Sequence, residues 1–268
     1  MSDVPGFSVG LVVGAGGPTG GPFIHAALGA IERLSGWTAP AAKTIVGTSA
    51  GAFVAASIDP APQMTTSDHL SAFAQLDNGE SYAMGTRHRF VARVRLAGGA
   101  LLARVSPTAR PVAEYTVPSS PYHRAASVVS VERRTARRVS HALHAIEDAE
   151  AAVRASAAIP GLNAPIEVDG ALHVDGAVHS AANADLIDFD THDAIIVIAP
   201  MVAGSGGSLV ARSHRAQLRS ELDPWVRSDK PAIIVTPNDV EHADRRDRQT
   251  FERAGAEAVR RLTIGRDV

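Results

Sequence analysis

Short runs of β-branched residues alternate with segments of helical periodicity along the chain, and this alternation constrains the fold most. The first run is Ser8–Val13, and the helix predicted after it covers Gly21–Leu34 and ends at Gly36. Alternation of this kind is typical of a parallel sheet covered by helices. The sequence therefore predicts an α/β fold with a mainly parallel central sheet.

The same alternation continues to the end of the chain. A short strand predicted over Lys43–Val46 breaks at Gly47, and a helix begins at Ala50. The remaining predicted elements are hairpins of Ala126–Val131 with Ala136–His141 and of Ile166–Val168 with Leu172–Val174, a helix over Asp148–Ser156, strands Ala194–Ala199 and Ala232–Thr236, and helices Leu209–Leu222 and Asp244–Leu262. Residues 61–121 are interpreted as a variable helical insertion. Because no repeat or low-complexity linker divides residues 1–268, we expect a single domain.

Composition excludes several kinds of partner and site. The formal net charge is −2, so no global basic field favours nucleic acid. The chain has no cysteine, which excludes disulfides, thiolate metal ligands and a cysteine nucleophile. Ala194–Ala199, the longest clean apolar run, is too short to span a bilayer. We expect a cytoplasmic protein without a metal or other cofactor, and the oligomeric state stays open.

A glycine-rich segment, Gly14–Gly20 (GAGGPTG), joins the first predicted strand to the first predicted helix. A dinucleotide fingerprint fails because Thr19 stands where the third glycine belongs, and a phosphate loop fails because no Lys-Ser/Thr pair follows the last glycine. The segment is then either a set of free N–H groups suited to a small anion or a tight turn that needs glycine.

Gly47-Thr48-Ser49-Ala50-Gly51 is a G-x-S-x-G motif between an apolar strand and a helix. This context is that of a nucleophile elbow, in which a strained turn lifts the serine out of the sheet edge. The flanking glycines let strand and helix close without Cβ clashes. The motif predicts Ser49 as a catalytic nucleophile.

The group that activates Ser49 is not a clear histidine. A standard α/β-hydrolase has several strands before the elbow and an acid and a histidine after it, whereas one strand–helix unit precedes Ser49 here. The histidines are interpreted otherwise: His25 as half-buried and structural, His141 and His144 as surface residues at a strand end, and His242 at a solvated helix start. Asp175-Gly176-Ala177 follows a predicted strand, and by itself Asp-Gly is a common turn.

Taken together, the motifs resemble those of the patatin-like phospholipases across residues 8–200. The resemblance rests on four segments in order: the glycine loop Gly14–Gly20, the elbow Gly47–Gly51, the helix end Arg154–Pro160, and Asp175-Gly176-Ala177. It implies a three-layer α/β/α sandwich and a Ser–Asp dyad without a catalytic histidine. By this resemblance Ser49 is the nucleophile, Asp175 is the base, and the N–H groups of Gly16 and Gly17 form the oxyanion hole.

One position departs from the family pattern. Members often carry Arg or Lys where this chain has Thr19, which leaves the dyad intact but puts a preference for anionic head groups in doubt. The resemblance implies a lipase or phospholipase A-type esterase acting on a lipid or other acyl ester. Acyl transfer and thioester hydrolysis use the same acyl-enzyme, and a non-catalytic member would bind lipid or a partner for signalling, so these alternatives stay open.

Thr86–Arg110 has six arginines and no acidic residue, with apolar residues among them. This mixture suits a movable cover that contacts acyl chains or an anionic membrane surface, and Gly98-Gly99 offers a hinge. An ordinary surface helix, whose arginines pair with carboxylates elsewhere on the domain, fits the pattern slightly better, because charge-rich helical faces are usually just solvated. Co-sedimentation with anionic liposomes distinguishes the two, since only a peripheral membrane contact depends on these arginines.

Overall fold

The computed structural model describes residues 7–61, 63–78, 98–99, 101–104, 116–202, 209–237 and 248–264. Within these ranges, eight strands form one sheet in the order β5-β6-β3-β2-β1-β7-β8, with β4 paired to β3. The strands are β1 (Val9–Val13), β2 (Thr44–Thr48), β3 (Ala126–Glu132), β4 (Arg138–Ala142), β5 (Ile166–Val168), β6 (Ala171–Asp175), β7 (Ala194–Ile198) and β8 (Ala232–Val235). Strands β1, β2, β3, β7 and β8 are parallel, whereas β4, β5 and β6 pair antiparallel. The predicted mainly parallel sheet is confirmed.

Helices cover both faces of this sheet. They are α1 (Gly17–Ser35), α2 (Ala50–Ser57), α3 (Ser67–Leu76), α4 (Ala149–Ala155), α5 (Leu209–Glu221), α6 (Asp223–Val226) and α7 (Arg248–Ile264). Successive side chains of a strand point to opposite faces, so Leu11 of β1 joins one hydrophobic cluster and Val12 joins the other. The first cluster includes residues of α1, α2, α3, α4 and α7, and the second includes residues of α5 and α6. The three-layer α/β/α sandwich is confirmed.

Strand β3 carries two other strands on one of its edges. Its first half pairs parallel with β2, up to Thr48 opposite Val129, and its second half pairs antiparallel with β6, beginning at Asp175 opposite Ser130. Strand β4 pairs along the opposite edge, which leaves β2 and β6 on the same side. Because β2 and β6 run toward each other, their carboxyl ends meet at Ser49 and Asp175.

Three predicted element boundaries are wrong. Helix α1 begins at Gly17, not Gly21, because Pro18 fits the first turn of a helix, where no N–H is needed. Gly16, the residue before α1, is required by close packing, since a Cβ on it would overlap Gly20 Cα and lie 2.8 Å from Pro200 Cβ. Strand β2 does not break at Gly47 but continues to Thr48. Strand β4 begins at Arg138 because Ala136 lies in the turn, with φ of 58°. The predicted end of α1 at Gly36 is confirmed by its left-handed φ of 72°.

Two sequence interpretations fall largely outside the described residues. Of Thr86–Arg110, the structure describes residues 98–99 and 101–104, which are helical, and His242 is not described. Among the described residues, no helix is long and apolar enough to cross a membrane.

Helix α2 packs its backbone directly against strand β1 at Gly51. A Cβ built on Gly51 would overlap the carbonyl oxygen of Val13. This oxygen belongs to the backbone of β1, so it cannot move aside as the end of a side chain could. We expect Gly51→Ala to lower the free energy of unfolding by about 1–3 kcal/mol or more, as overpacking does. Denaturant unfolding measures this change.

The matched control is Gly21→Ala, since a Cβ there meets no atom within 4 Å. This variant should be neutral or more stable by up to about 1 kcal/mol, because alanine favours a helix. Equal stability of Gly51→Ala and wild type would contradict the close packing of α2 on β1.

Candidate active site

Ser49 lies at the turn between β2 and α2. Its φ of 55° and ψ of −118° put it in a region that non-glycine residues rarely occupy. Such backbone strain persists only where the surrounding structure holds it, and it occurs often at functional sites. Ser49 is 5% exposed. The geometry is that of a nucleophile elbow, as the motif predicts.

The two glycines of the elbow motif are required by packing. A Cβ on Gly47 would lie 2.7 Å from Gly51 O and 2.8 Å from Ala52 Cα, so strand β2 and helix α2 are in backbone contact. Gly51 faces Val13, as described above. Any side chain at either position would push the helix away from the strand, so the elbow exists only with glycine at both.

Asp175 lies at the end of β6 and contacts Ser49 directly. Ser49 Oγ donates a hydrogen bond of 2.9 Å to Asp175 Oδ2, and the N–H of Ala177 donates one of 2.8 Å to Oδ1. A Cβ on Gly176 would overlap the carbonyl oxygen of Val129, so the chain leaves β6 in contact with β3. The structure therefore brings together the two residues predicted as a dyad, which are 126 positions apart.

Burial sets the protonation of Asp175. Removal of its carboxylate from water raises the pKa of Asp175 from 3.8 to about 7, while the hydrogen bonds from Ala177 and Ser49 act in the opposite direction. Since desolvation disfavours the charged form, the carboxyl group is partly protonated at neutral pH. A group with this pKa can both accept and return a proton near pH 7.

The glycine segment lies beside the elbow. A Cβ on Gly20 would come within 3.0 Å of Ala50 Cβ, and one on Gly51 within 2.9 Å of Gly14 O. The N–H of Gly14 donates to Ile198 O at 2.8 Å, which fixes the segment on β7. The N–H groups of Gly16 and Gly17, by contrast, make no hydrogen bond to another described residue. Thr19, in the first turn of α1, is buried.

Two of the predicted histidine environments are wrong. His141 is buried, not on the surface: its Nε2 lies 2.7 Å from Ser130 Oγ, which is also 2.8 Å from His173 Nδ1. Burial lowers the pKa of His141 to about 4 and also lowers the pKa of His173. His25 is exposed, not half-buried. The sequence could not show the buried cluster, because its members lie on three different strands.

Two polar residues that the sequence reasoning did not single out hold the segments around the dyad. Asn183 adopts a left-handed conformation and donates from Nδ2 to Thr48 Oγ1 at 3.1 Å, which ties the segment after Asp175 to the end of β2. Ser156 accepts a hydrogen bond from the N–H of Ser49 at 3.0 Å. Within the described ranges, no group of three or more His, Asp or Glu side chains could hold a metal ion.

The fold and the site define the class of a three-layer α/β/α protein with a serine at a strained elbow and an aspartate beside it. A family model described as patatin-like phospholipase matches residues 11–188, which is more than half of the chain. The chain therefore belongs to the patatin-like phospholipase family of lipid acyl hydrolases. A search of curated proteins found no match.

The raised pKa of Asp175 makes stability depend on pH. Between roughly pH 4 and 7 the folded chain keeps this proton while the unfolded chain loses it, so the free energy of unfolding falls as pH rises across this window. We expect Asp175→Asn to be more stable relative to wild type at pH 8 than at pH 5, because asparagine has no proton to lose. Urea unfolding at the two pH values measures the difference.

Glu221 provides the control, since burial and the charge of Asp185 raise the pKa of Glu221 to about 7 as well. Glu221→Gln should remove the contribution of Glu221 to the pH dependence of the free energy of unfolding and leave the contribution of Asp175. A stability difference between Asp175→Asn and wild type that is the same at both pH values would show that the carboxyl group titrates normally.

Proposed function

We propose that the chain is a serine acyl hydrolase that cleaves acyl esters of lipids, with Ser49 as nucleophile and Asp175 as general base. The observation that carries the proposal is the 2.9 Å hydrogen bond from Ser49 Oγ to Asp175 Oδ2, made from a strained elbow. A binding module needs neither the strain nor a buried carboxyl group against a serine hydroxyl. Both features have a chemical use when the hydroxyl must lose its proton as it attacks.

In the proposed first half-reaction, Ser49 Oγ attacks the carbonyl carbon of the ester and its proton passes to Asp175 Oδ2. The carbonyl oxygen becomes an oxyanion. When the tetrahedral intermediate collapses, the bond to the leaving alcohol breaks and the alcohol oxygen takes the proton from Asp175. The product is an acyl ester on Ser49. The pKa of Asp175, about 7, suits both proton transfers near neutral pH.

In the second half-reaction, water attacks the acyl-enzyme while Asp175 takes its proton. Collapse of the second tetrahedral intermediate releases the fatty acid, and Ser49 Oγ recovers the proton. An alcohol or amine in place of water would give acyl transfer, and a thioester in place of the ester would give thioesterase activity. A survey of esters, thioesters and phospholipids with the purified protein separates these reactions.

The oxyanion is proposed to bind the N–H groups of Gly16 and Gly17. Support comes from their lack of acceptors among the described residues and from the contact of their segment with the elbow. Pro18 has no N–H and serves only to stiffen the first turn of α1. Removal of one such donor typically costs about 10²–10³ in rate.

Peripheral contact with a lipid surface through Thr86–Arg110 stays a proposal. Its support is the exposure of two leucines in the described part of this segment, Leu101 at 68% and Leu102 at 48%. The single-domain organisation and the cytoplasmic location also stay predictions from the sequence.

The nucleophile can be identified by covalent labelling. We expect a fluorophosphonate probe to label wild-type protein at Ser49 alone, because only an activated serine attacks the probe. Ser49→Ala should lose both labelling and turnover of a small soluble ester while it remains folded. Mass spectrometry of the labelled peptide gives the position, and heat-denatured wild type is the control for non-specific reaction. Turnover by purified Ser49→Ala at the wild-type rate would exclude the proposed mechanism.

The base can be identified by a matched pair of substitutions. Asp175→Asn should lower turnover by about 10²–10⁴, the usual contribution of a general base. His179→Ala, four residues further along the chain, should keep most of the wild-type rate. Steady-state kinetics of both variants, with circular dichroism to verify folding, makes the comparison. A histidine variant that loses as much as Asp175→Asn would point to a triad instead of a dyad.

A further inference from the structure

One short segment after α4, residues 156–158, contacts the backbone of both proposed dyad residues. The N–H of Ser49 donates to Ser156 Oγ at 3.0 Å. The N–H of Asp175 donates to Ala158 O at 2.9 Å, and that of Gly176 donates to Ser156 O at 3.4 Å. Only the first of these hydrogen bonds uses a side chain, so Ser156 is the member of the segment whose role a substitution can isolate.

The Ser156 hydroxyl lies between two backbone groups of the β2–β3 ladder. It accepts from the N–H of Ser49 and donates to Val129 O at 2.6 Å. Ser156 is fully buried, so water cannot replace either partner. Because a hydroxyl has a single proton, the donation to Val129 leaves its lone pairs for Ser49 and fixes its orientation.

The register of β2 and β3 shows what this hydroxyl replaces. The N–H of Ile45 donates to Ala125 O at 2.9 Å. In a parallel ladder the donors recur every second residue, so the same register continued by four residues would pair the N–H of Ser49 with Val129 O. The Ser156 hydroxyl occupies this position as a bridge. Strand β2 therefore leaves the sheet at Ser49 with both groups still satisfied.

We propose that Ser156 is a positioning residue, whose hydroxyl substitutes for the last hydrogen bond of the β2–β3 ladder and thereby holds Ser49 in the elbow geometry from which Oγ reaches Asp175. Without the hydroxyl, two buried backbone groups lose their partner. They can close the ladder directly, which draws Ser49 toward β3 and relaxes its positive φ, or stay unpaired. The first outcome moves Ser49 Oγ relative to Asp175 Oδ2, and the second removes the hydrogen bond that holds Ser49 in its strained conformation.

The test compares Ser156→Ala with Ser127→Ala and rests on the proposed function. Ser127 is a matched control because its Oγ also joins β3 to β2, by donating to Ile45 O at 3.1 Å, but away from the elbow. We expect Ser156→Ala to lower kcat for a small soluble ester and the rate of fluorophosphonate labelling together, by about 10- to 100-fold, as misplacement of a reacting group does. KM should stay unchanged, and Ser127→Ala should keep the wild-type values.

The pH profile provides a readout that a loss of stability alone would not change. The hydrogen bond from Ser49 lowers the pKa of Asp175, so its loss in Ser156→Ala should raise that pKa. The acid limb of kcat/KM should therefore move to higher pH in Ser156→Ala and not in Ser127→Ala. If Ser156→Ala does not fold, Ser156→Cys leaves no cavity and keeps a weaker donor and acceptor at this position, so it should change the same quantities in the same direction.

The outcomes separate this inference from the proposed function. Labelling of wild type and of a folded Ser156 variant at equal rates, with the same pH profile, would overturn the role of Ser156 alone. Failure of the probe to label wild-type protein would overturn the proposed function and this role with it. An equal loss of kcat and labelling rate in Ser156→Ala and Ser127→Ala would overturn the role of Ser156, because it would assign the effect to the pairing of β2 and β3 in general.

Discussion

The structure depends on the way one edge of β3 is shared. Strand β2 occupies its first half and β6 its second, so that Thr48 lies opposite Val129 and Asp175 opposite Ser130. Two strands that approach each other along one edge must end where they meet, because each blocks the path of the other. Their carboxyl ends are thereby placed side by side. This arrangement brings a serine and an aspartate 126 positions apart into hydrogen-bond distance through strand pairing alone.

Features of the fold that depend on residues close together in the sequence could be predicted. The alternation of strands and helices gave the parallel sheet, and the strand–Gly-x-Ser-x-Gly–helix context located the elbow at Ser49. Boundaries set by packing could not be predicted in this way. Gly20 was interpreted as a loop residue although it lies in α1, because a glycine needed for close approach, like Gly20, looks the same in sequence as one needed for its left-handed conformation, like Gly17 with φ of 58°. The contacts of Ser156 and the burial of His141 depend on partners across the sheet, which local spacing does not encode.

Burial gives the carboxyl group beside Ser49 a proton affinity near that of a histidine. A carboxylate in water is a weak base, and desolvation raises the pKa of Asp175 to about 7, a value usual for an imidazole. The same physics has the opposite effect on His141 and His173, whose pKa values fall when they are buried around Ser130. In one sheet burial therefore favours the protonated form of a carboxyl group and the deprotonated form of two histidines, because in each case that form is the uncharged one.

The pairing of β3 on both edges also affects how much free energy is needed to open the sheet around Ser49 and Asp175. Native-state hydrogen exchange reports the free energy needed to expose each amide, and amides in the centre of a sheet usually exchange only when the whole unit unfolds. Val129 and Ser130 have partners on β4 as well as on β2 and β6. Fluctuations that separate the ends of β2 and β6 along this edge must therefore break their pairing with β3, which has partners on both edges. The relative position of the Ser49 and Asp175 backbones is thus protected by the stability of the central sheet and not by the stability of a surface loop.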